Sequence, residues 1–274
     1  MRAYARGEQP PYGFPKALEV IDGGSGPVSA ADLAVNTWLI KGLQSAFSSV
    51  DWSVISEETS KNELKDILSA KSDWVWILDP LDGTKDFLQG TGEYAVHLAL
   101  VKNQTPVLGV VLIPELEELW LGIVGLEAWC ENRQANRSSV QLSKRSQLDQ
   151  MVLVASRNHR DQRLEKLLST LSLGETKAIG SVGCKIAAIL RGEADIYISL
   201  SGESAPKDWD MAAPEAVLIA SGGCFTHANK QRLIYKKGDF LQSGCIIASN
   251  GNNHSELCDK SLKVMSEIDP GFLV

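Results

Sequence analysis

The sequence predicts a mixed α/β fold, and three patterns carry the prediction. The first is Trp74-Val75-Trp76-Ile77-Leu78, an apolar, aromatic run that stops at Asp79-Pro80. Gly83-Thr84 then opens a helical stretch, so a buried strand empties through a turn into a helix. The second is residues 94–101, 107–113 and 117–124, three apolar runs that read as a meander of antiparallel strands. The third lies beyond a polar connection at residues 138–149. There a strand at 151–155, an amphipathic helix at 164–171, a helix from Gly180-Ser181 to about Arg191 and a strand at 194–198 alternate.

The remaining elements follow from local chemistry. Residues 1–15, with Pro10-Pro11, Gly13 and Pro15, read as an irregular start, and 16–21 as a short strand. Gly23-Gly24-Ser25-Gly26-Pro27 is a flexible turn. Ser29 is placed to cap a helix in which Leu33, Trp38 and Leu39 face a core and Asp32 sits in the first turn. Residues 52–56 form a strand that ends in Glu57-Glu58. Residues 61–71 alternate charge with Leu and Ile, as a solvated helix or loop does. His97 lies among apolar residues on its strand and reads as a core histidine, since no second His stands at metal spacing. Ser156-Arg157-Asn158-His159-Arg160 is a basic cluster at a strand end. Asp210 begins an apolar helix that runs to Gly222-Gly223, with Pro214 in its first turn. A Gly-rich strand region to residue 248 and a helix over 255–268 complete the chain.

Composition narrows the function. The 274 residues suffice for one large or two moderate domains. The net charge of −7 argues against a surface that coats nucleic acid, though not against a small anion held through metal ions. Cys130, Cys184, Cys224, Cys245 and Cys258 are scattered and form no CxxC pair, so neither a disulfide framework nor a zinc knuckle is expected. A reducing cytoplasm fits them best. No long uncharged apolar run suggests a membrane segment or an export leader.

The chemistry concentrates at Asp79 and Asp82. Two carboxylates at a strand end suit a hard divalent cation, and the N–H groups of a helix start suit phosphate. Together they suit a metal-bridged phosphate ester. Taken singly these features are ordinary: Asp-Gly is a common turn dipeptide, and Asp32 or Asp210 alone would be a helix-start acid.

The order Glu57-Glu58, then Asp79-Pro80-Leu81-Asp82-Gly83-Thr84, then Trp209-Asp210 resembles the inositol monophosphatase superfamily of Mg-dependent, lithium-sensitive phosphatases. The resemblance runs from about residue 27 to 248. Lys85-Asp86-Phe87, Ser156-Arg157-Asn158-His159 and the run from Lys207 through Glu215 are similar to the 3'(2'),5'-bisphosphate nucleotidase subgroup. Gly180-Ser181-x-x-x-Lys185 is similar to its G-S-x-x-K segment with a different spacing. The resemblance implies a layered α-β-α-β-α sandwich. It also implies a half over residues 1–145 carrying the metal site, and a half over 146–274 carrying substrate-side residues and the last metal carboxylate. It implies Glu57, Asp79, Asp82, Asp210 and the Leu81 carbonyl as ligands of two or three Mg2+ ions, with Glu58 in support. Asp32 and Thr84 would orient and deprotonate the attacking water. The Gly83 and Thr84 N–H groups would hold the scissile phosphate, and Ser181 the sugar or base side. Arg157, Lys185 and His159 would meet a second phosphate.

The implied activity is hydrolysis of the 3'-phosphate of 3'-phosphoadenosine 5'-phosphate. An inositol monophosphatase or sugar bisphosphatase on the same metals is the alternative, and a non-catalytic phosphometabolite binder is the rival outside enzymes. A small phosphorylated nucleotide is the expected partner, nucleic acid and membrane are not, and a homodimer is compatible. Two departures stand out: a short Pro-containing lead replaces the family's long first helix, and Ser-Ala-Ala-Asp replaces the usual Thr-Glu-Ala-Asp around Asp32.

Overall fold

Two sheets and the helices between and outside them organise the chain. The structure, a computed structural model, describes residues 1–22, 27–60, 72–157, 162–201, 205–269 and 271. The turn at 23–26, the charged stretch at 61–71 and residues 158–161, which include His159, lie outside the described residues. The chain opens with a helical turn α1 (Arg2–Ala5) and a two-stranded ribbon, β1 (Val20–Asp22) and β2 (Pro27–Ser29), which leads into α2 (Ala30–Ala46). The first large sheet takes β3 (Ser53–Ser56), β4 (Trp74–Asp82), β5 (Ala95–Lys102), β6 (Thr105–Ile113), β7 (Glu118–Ile123), β8 (Glu127–Glu131) and β9 (Arg137–Ser139) in that order. Helix α3 (Thr84–Gln89) connects β4 to β5. The second sheet is built from β10 (Val152–Ser156), β11 (Glu175–Ile179), β12 (Ile196–Ser201), β13 (Cys224–His227) and β14 (Gly244–Ser249), in the order β11-β10-β12-β14-β13. Helices α4 (Gln162–Leu171), α5 (Val182–Leu190), α6 (Asp208–Ala220) and α7 (His254–Ile268) come from the same stretch of chain.

Side-chain alternation divides the second sheet between two cores. Val152, Val154, Tyr197, Ile246 and Ala248 join the core shared with the first sheet, where α5 and α6 lie. Leu153, Ala155, Ile196, Ile198, Cys245 and Ile247 pack instead with α4 and α7 on the outer side. Helix α2 packs its Ala31 and Ala34 near Leu81, Phe87 and Tyr94 on the other side of the first sheet. The layers thus run α-β-α-β-α. Helix α6 lies close to β5, β6 and β7, and glycines let it approach. A Cβ at Gly109 would stand 2.5 Å from the Ala213 carbonyl oxygen, and one at Gly122 2.7 Å from the Val217 Cα.

Four expectations are corrected. Strand β4 does not stop at Asp79 but runs to Asp82, with its register against β5 broken between those two residues. Pro80 falls in that break, where no ladder N–H is needed. On α2, Leu33 and Trp38 are 46% and 51% exposed, and Leu39 is half-buried. The inward face belongs to Asp32, Asn36 and Leu43, because the cap at Ser29 and the bond from Ser56 Oγ to Asn36 Oδ1 (2.6 Å) fix the helix's rotation. Pro214 sits inside α6, not in its first turn. Its missing N–H leaves the Asp210 carbonyl without an i+4 donor. Finally, β9 runs into the stretch read as a polar connection, and β8 and β11 are strands where no element was read.

Candidate metal centre

Asp79, Asp82 and Asp210 converge so that one carboxylate oxygen from each lies within 4.8 Å of the others. Asp79 and Asp82 come from the broken end of β4, and Asp210 from the first turn of α6. Each is held from behind. Asp79 Oδ1 accepts the Leu81 N–H at 2.9 Å, Asp82 Oδ2 accepts the Gly183 N–H at 2.9 Å, and Asp210 Oδ2 accepts the Lys207 N–H at 2.5 Å. Burial, then the charges of Glu57, Asp82 and Asp210, hold the Asp79 carboxyl well above its ordinary range. Burial, then Asp82, pushes Asp210 up to about 7. Two buried carboxylates and a half-buried third that repel one another, with backbone donors fixing one oxygen of each, form an all-oxygen donor set that fits a hard divalent cation. Glu57 and Glu58 begin the helical turn at residues 57–60 after β3, and both are half-buried. Glu57 acts on Asp79 through its charge but stands outside the three-carboxylate group.

Beside the cluster lies a second pair. Asp32 is buried and accepts the Ser29 N–H (2.8 Å) and hydroxyl (2.5 Å) on Oδ2. Its Oδ1 lies 3.2 Å from Thr84 Oγ1, which is also 3.2 Å from the Leu81 carbonyl oxygen. Burial raises the Asp32 pKa against these hydrogen bonds. Ser29 therefore replaces the family threonine without loss of the cap. Gly83 caps α3 with φ of 90°, a left-handed conformation that suits glycine. A Cβ there would meet the Glu93 carbonyl oxygen at 3.0 Å and Ser181 Cβ at 3.1 Å, so Ser181 borders this turn. Ser181 caps α5 by accepting the Cys184 N–H at 2.9 Å.

The basic residues are already engaged. Arg157 donates from Nη1 to Asp86 Oδ1 and from Nη2 to Glu93 Oε2, both at 2.8 Å. Glu93 Oε2 also accepts the Gly180 N–H at 2.7 Å. Lys185 is buried, donates to the Gly180 carbonyl and stands 5.5 Å from the Tyr197 ring centroid. Burial lowers its pKa, and Asp82, Asp86 and Glu93 oppose that shift. Reading the sequence did not single out Asp86 and Glu93 as partners of Arg157, nor His97 beside Asp82. The signal for His97 was present: it is the one polar side chain on the inward, alternating face of β5.

The sequence profile of the inositol monophosphatase family matches residues 13–266. The chain belongs to this family. Among family relatives, the 3'(2'),5'-bisphosphate nucleotidase CysQ of Salmonella typhimurium is 34% identical over 72% of this chain and 74% of its own length. The protein of that name from Escherichia coli K12 is 32% identical over 77% and 80%. The IMPase of Thermotoga maritima shares the fold, with a TM-score of 0.73 at 24% identity over 91% of this chain and 89% of its own. The family match spans the Asp79, Asp82 and Asp210 positions. Among the described residues, no helix is long and apolar enough to cross a membrane.

Proposed function

We propose that this chain is a Mg2+-dependent 3'(2'),5'-bisphosphate nucleotidase that removes the 3'-phosphate of 3'-phosphoadenosine 5'-phosphate. The observation that carries it is the Asp79, Asp82 and Asp210 cluster beside the Thr84–Asp32 pair, in a chain whose 30–34% identical relatives bear that name. Asp79, Asp82, Asp210, Glu57 and the Leu81 carbonyl would hold two or three ions. Bound there, the cations supply an acidic water and offset phosphate charge. Thr84 Oγ1 orients the attacking water and passes its proton toward Asp32 Oδ1, 3.2 Å away. Asp32 can take that proton because its burial favours the neutral acid. The Gly83 and Thr84 N–H groups face the scissile phosphate at the head of α3. Glu58 supports Glu57, and Ser181 borders the Gly83 turn, on the sugar or base side.

The second phosphate falls to Arg157, Lys185 and His159. Arg157 meets that phosphate in competition with Asp86 and Glu93, so the site discriminates by exchange of partners rather than by adding a contact to an idle cation. The test is phosphate release from 3'-phosphoadenosine 5'-phosphate and from inositol 1-phosphate side by side, with Mg2+ and then with chelator. Chelator-sensitive release from the nucleotide alone supports the proposal. Release mainly from inositol phosphate moves the substrate to the alternative, and release from neither defeats the phosphatase reading. In the same assay, Arg157→Ala should lose roughly tenfold or more on the bisphosphate relative to the monophosphate. Equal losses on both would remove Arg157 from the second-phosphate role.

A further inference from the structure

We infer that Asp86 is the pivot of Arg157 and Glu93 its exchangeable partner, so that a phosphate monoester takes the place of Glu93 on Nη2 while Nη1 stays on Asp86. The inference rests on the second-phosphate reading of Arg157 proposed above. It makes Asp86 a positioning residue and Glu93 a specificity-determining one.

The two carboxylates on this guanidinium are unlike. Asp86 comes from α3, and its side chain is only 5% exposed. Its Oδ1 accepts Arg157 Nη1 at 2.8 Å and the Thr91 hydroxyl at 3.2 Å. A Cβ at Gly180 would stand 2.4 Å from Asp86 Cγ, so only glycine there leaves room for the carboxyl. Asp86 is thus packed on one side and hydrogen-bonded on the other. Glu93 lies just before β5, with its side chain 30% exposed. Its Oε2 accepts Arg157 Nη2 at 2.8 Å and the Gly180 N–H at 2.7 Å. Nη2 also reaches the Ala178 carbonyl at 3.5 Å.

Which partner yields follows from burial. A buried carboxylate stripped of its cation is left uncompensated, whereas an ion pair open to water gives up little when it breaks. Glu93 keeps the Gly180 N–H after Arg157 leaves, and water can reach the oxygen that is freed. The guanidinium is a rigid fork, so holding Nη1 on Asp86 fixes the place from which Nη2 is offered. The Gly180 peptide does not depend on the exchange, because Glu93 holds its N–H and Lys185 its carbonyl. A second phosphate is therefore read by displacing one exposed carboxylate, and a substrate without that phosphate leaves the fork closed.

The experiment compares 3'-phosphoadenosine 5'-phosphate with adenosine 3'-phosphate, which carries the same scissile ester without the second phosphate, at saturating Mg2+. Preference is the ratio of the two kcat/KM values. Glu93→Gln keeps an acceptor for the Gly180 N–H and removes the charge that holds Nη2. We expect its preference for the bisphosphate to rise about threefold or more, through a lower KM and not a higher kcat. Asp86→Asn removes the charge under the pivot, and its preference should fall about tenfold. A substitution that merely loosened the fold would not move the two in opposite directions. An unchanged or lower preference in Glu93→Gln overturns the inference, and that arm decides even where Asp86→Asn does not fold. The same Glu93→Gln change is then made in Arg157→Ala, where it should no longer alter the preference. A rise that persists there comes from the loss of one negative charge near any phosphate, and overturns the exchange. If Arg157→Ala alone keeps the preference of the unsubstituted chain, the second-phosphate reading itself has failed, and that single substitution shows it.

Discussion

Single charges decide most of what this site does. Asp210 is pushed up to about 7 by burial and by Asp82, so the metal-free cluster holds itself together against repulsion. Asp210→Asn should therefore unfold in chelator at a temperature no lower than the unsubstituted chain. The amide still accepts the Lys207 N–H, and one charge is gone. Turnover should fall by roughly a hundredfold or more, and added Mg2+ should no longer raise the unfolding temperature as far. Retained turnover at saturating Mg2+ would defeat the ligand assignment. Glu215 offers a second reading away from the cluster. It is buried in α6, accepts the Tyr235 hydroxyl and is pushed up to about 8 by burial. A raised acid contributes its full stability below its ordinary value of 4.5 and loses it as pH climbs toward 8. Glu215→Gln should flatten the fall in stability between pH 5 and 8, by on the order of 2 kcal/mol in urea unfolding. An unaltered pH slope would place that proton elsewhere. The Asp79-to-Thr84 run and Trp209-Asp210 were legible in the sequence because their meaning is local: strand end, turn, helix start. The surroundings of His97 were not, because Asp82 and Trp209 are brought near it only by the folded layers.

At the level of elements, the contact between α6 and the first sheet depends on missing side chains. Gly109→Ala would set a methyl 2.5 Å from the Ala213 carbonyl oxygen and 2.8 Å from the Ala216 methyl. Backbone on the far side leaves no flexible end to yield. A loss of roughly 1–3 kcal/mol is expected, read as a lower urea midpoint, with weaker Mg2+ binding because Asp210 rides on the displaced helix. Gly125→Ala serves as the control for the methyl, since nothing lies within 4 Å there, although its φ of 81° carries its own strain. Two of the strands that escaped sequence reading, β9 and β11, share a place in the fold. β9 is fully exposed and β11 mostly so, and both are sheet edges, where polar residues are favoured and alternation fades. Helix α2 misled for the opposite reason. Its Leu33 and Trp38 face outward, while Asp32 and Asn36 turn inward to serve the site and the neighbouring strand.

Across the molecule, the five layers were legible through the family resemblance rather than through periodicity. Strands buried on both faces read as unbroken apolar runs, which do not say which sheet they join. Metal binding should be felt by the whole stack. The chain expected to bind the ion only when folded should gain about 2.7 kcal/mol at a metal concentration a hundredfold above the dissociation constant. An unfolding temperature indifferent to Mg2+ would contradict that linkage.

The place of α6 between the two sheets has one more consequence. Ala216, Val217 and Leu218 are sealed by both layers and by the glycine contacts of β6 and β7. Their amide hydrogens can trade with solvent deuterium only when the stack comes apart. Exchange at those three amides is then a clock for global opening. An ion that binds the closed form slows the clock by one plus its concentration over its dissociation constant. The affinity of the metal centre becomes readable by mass spectrometry from peptide groups that never touch the ion.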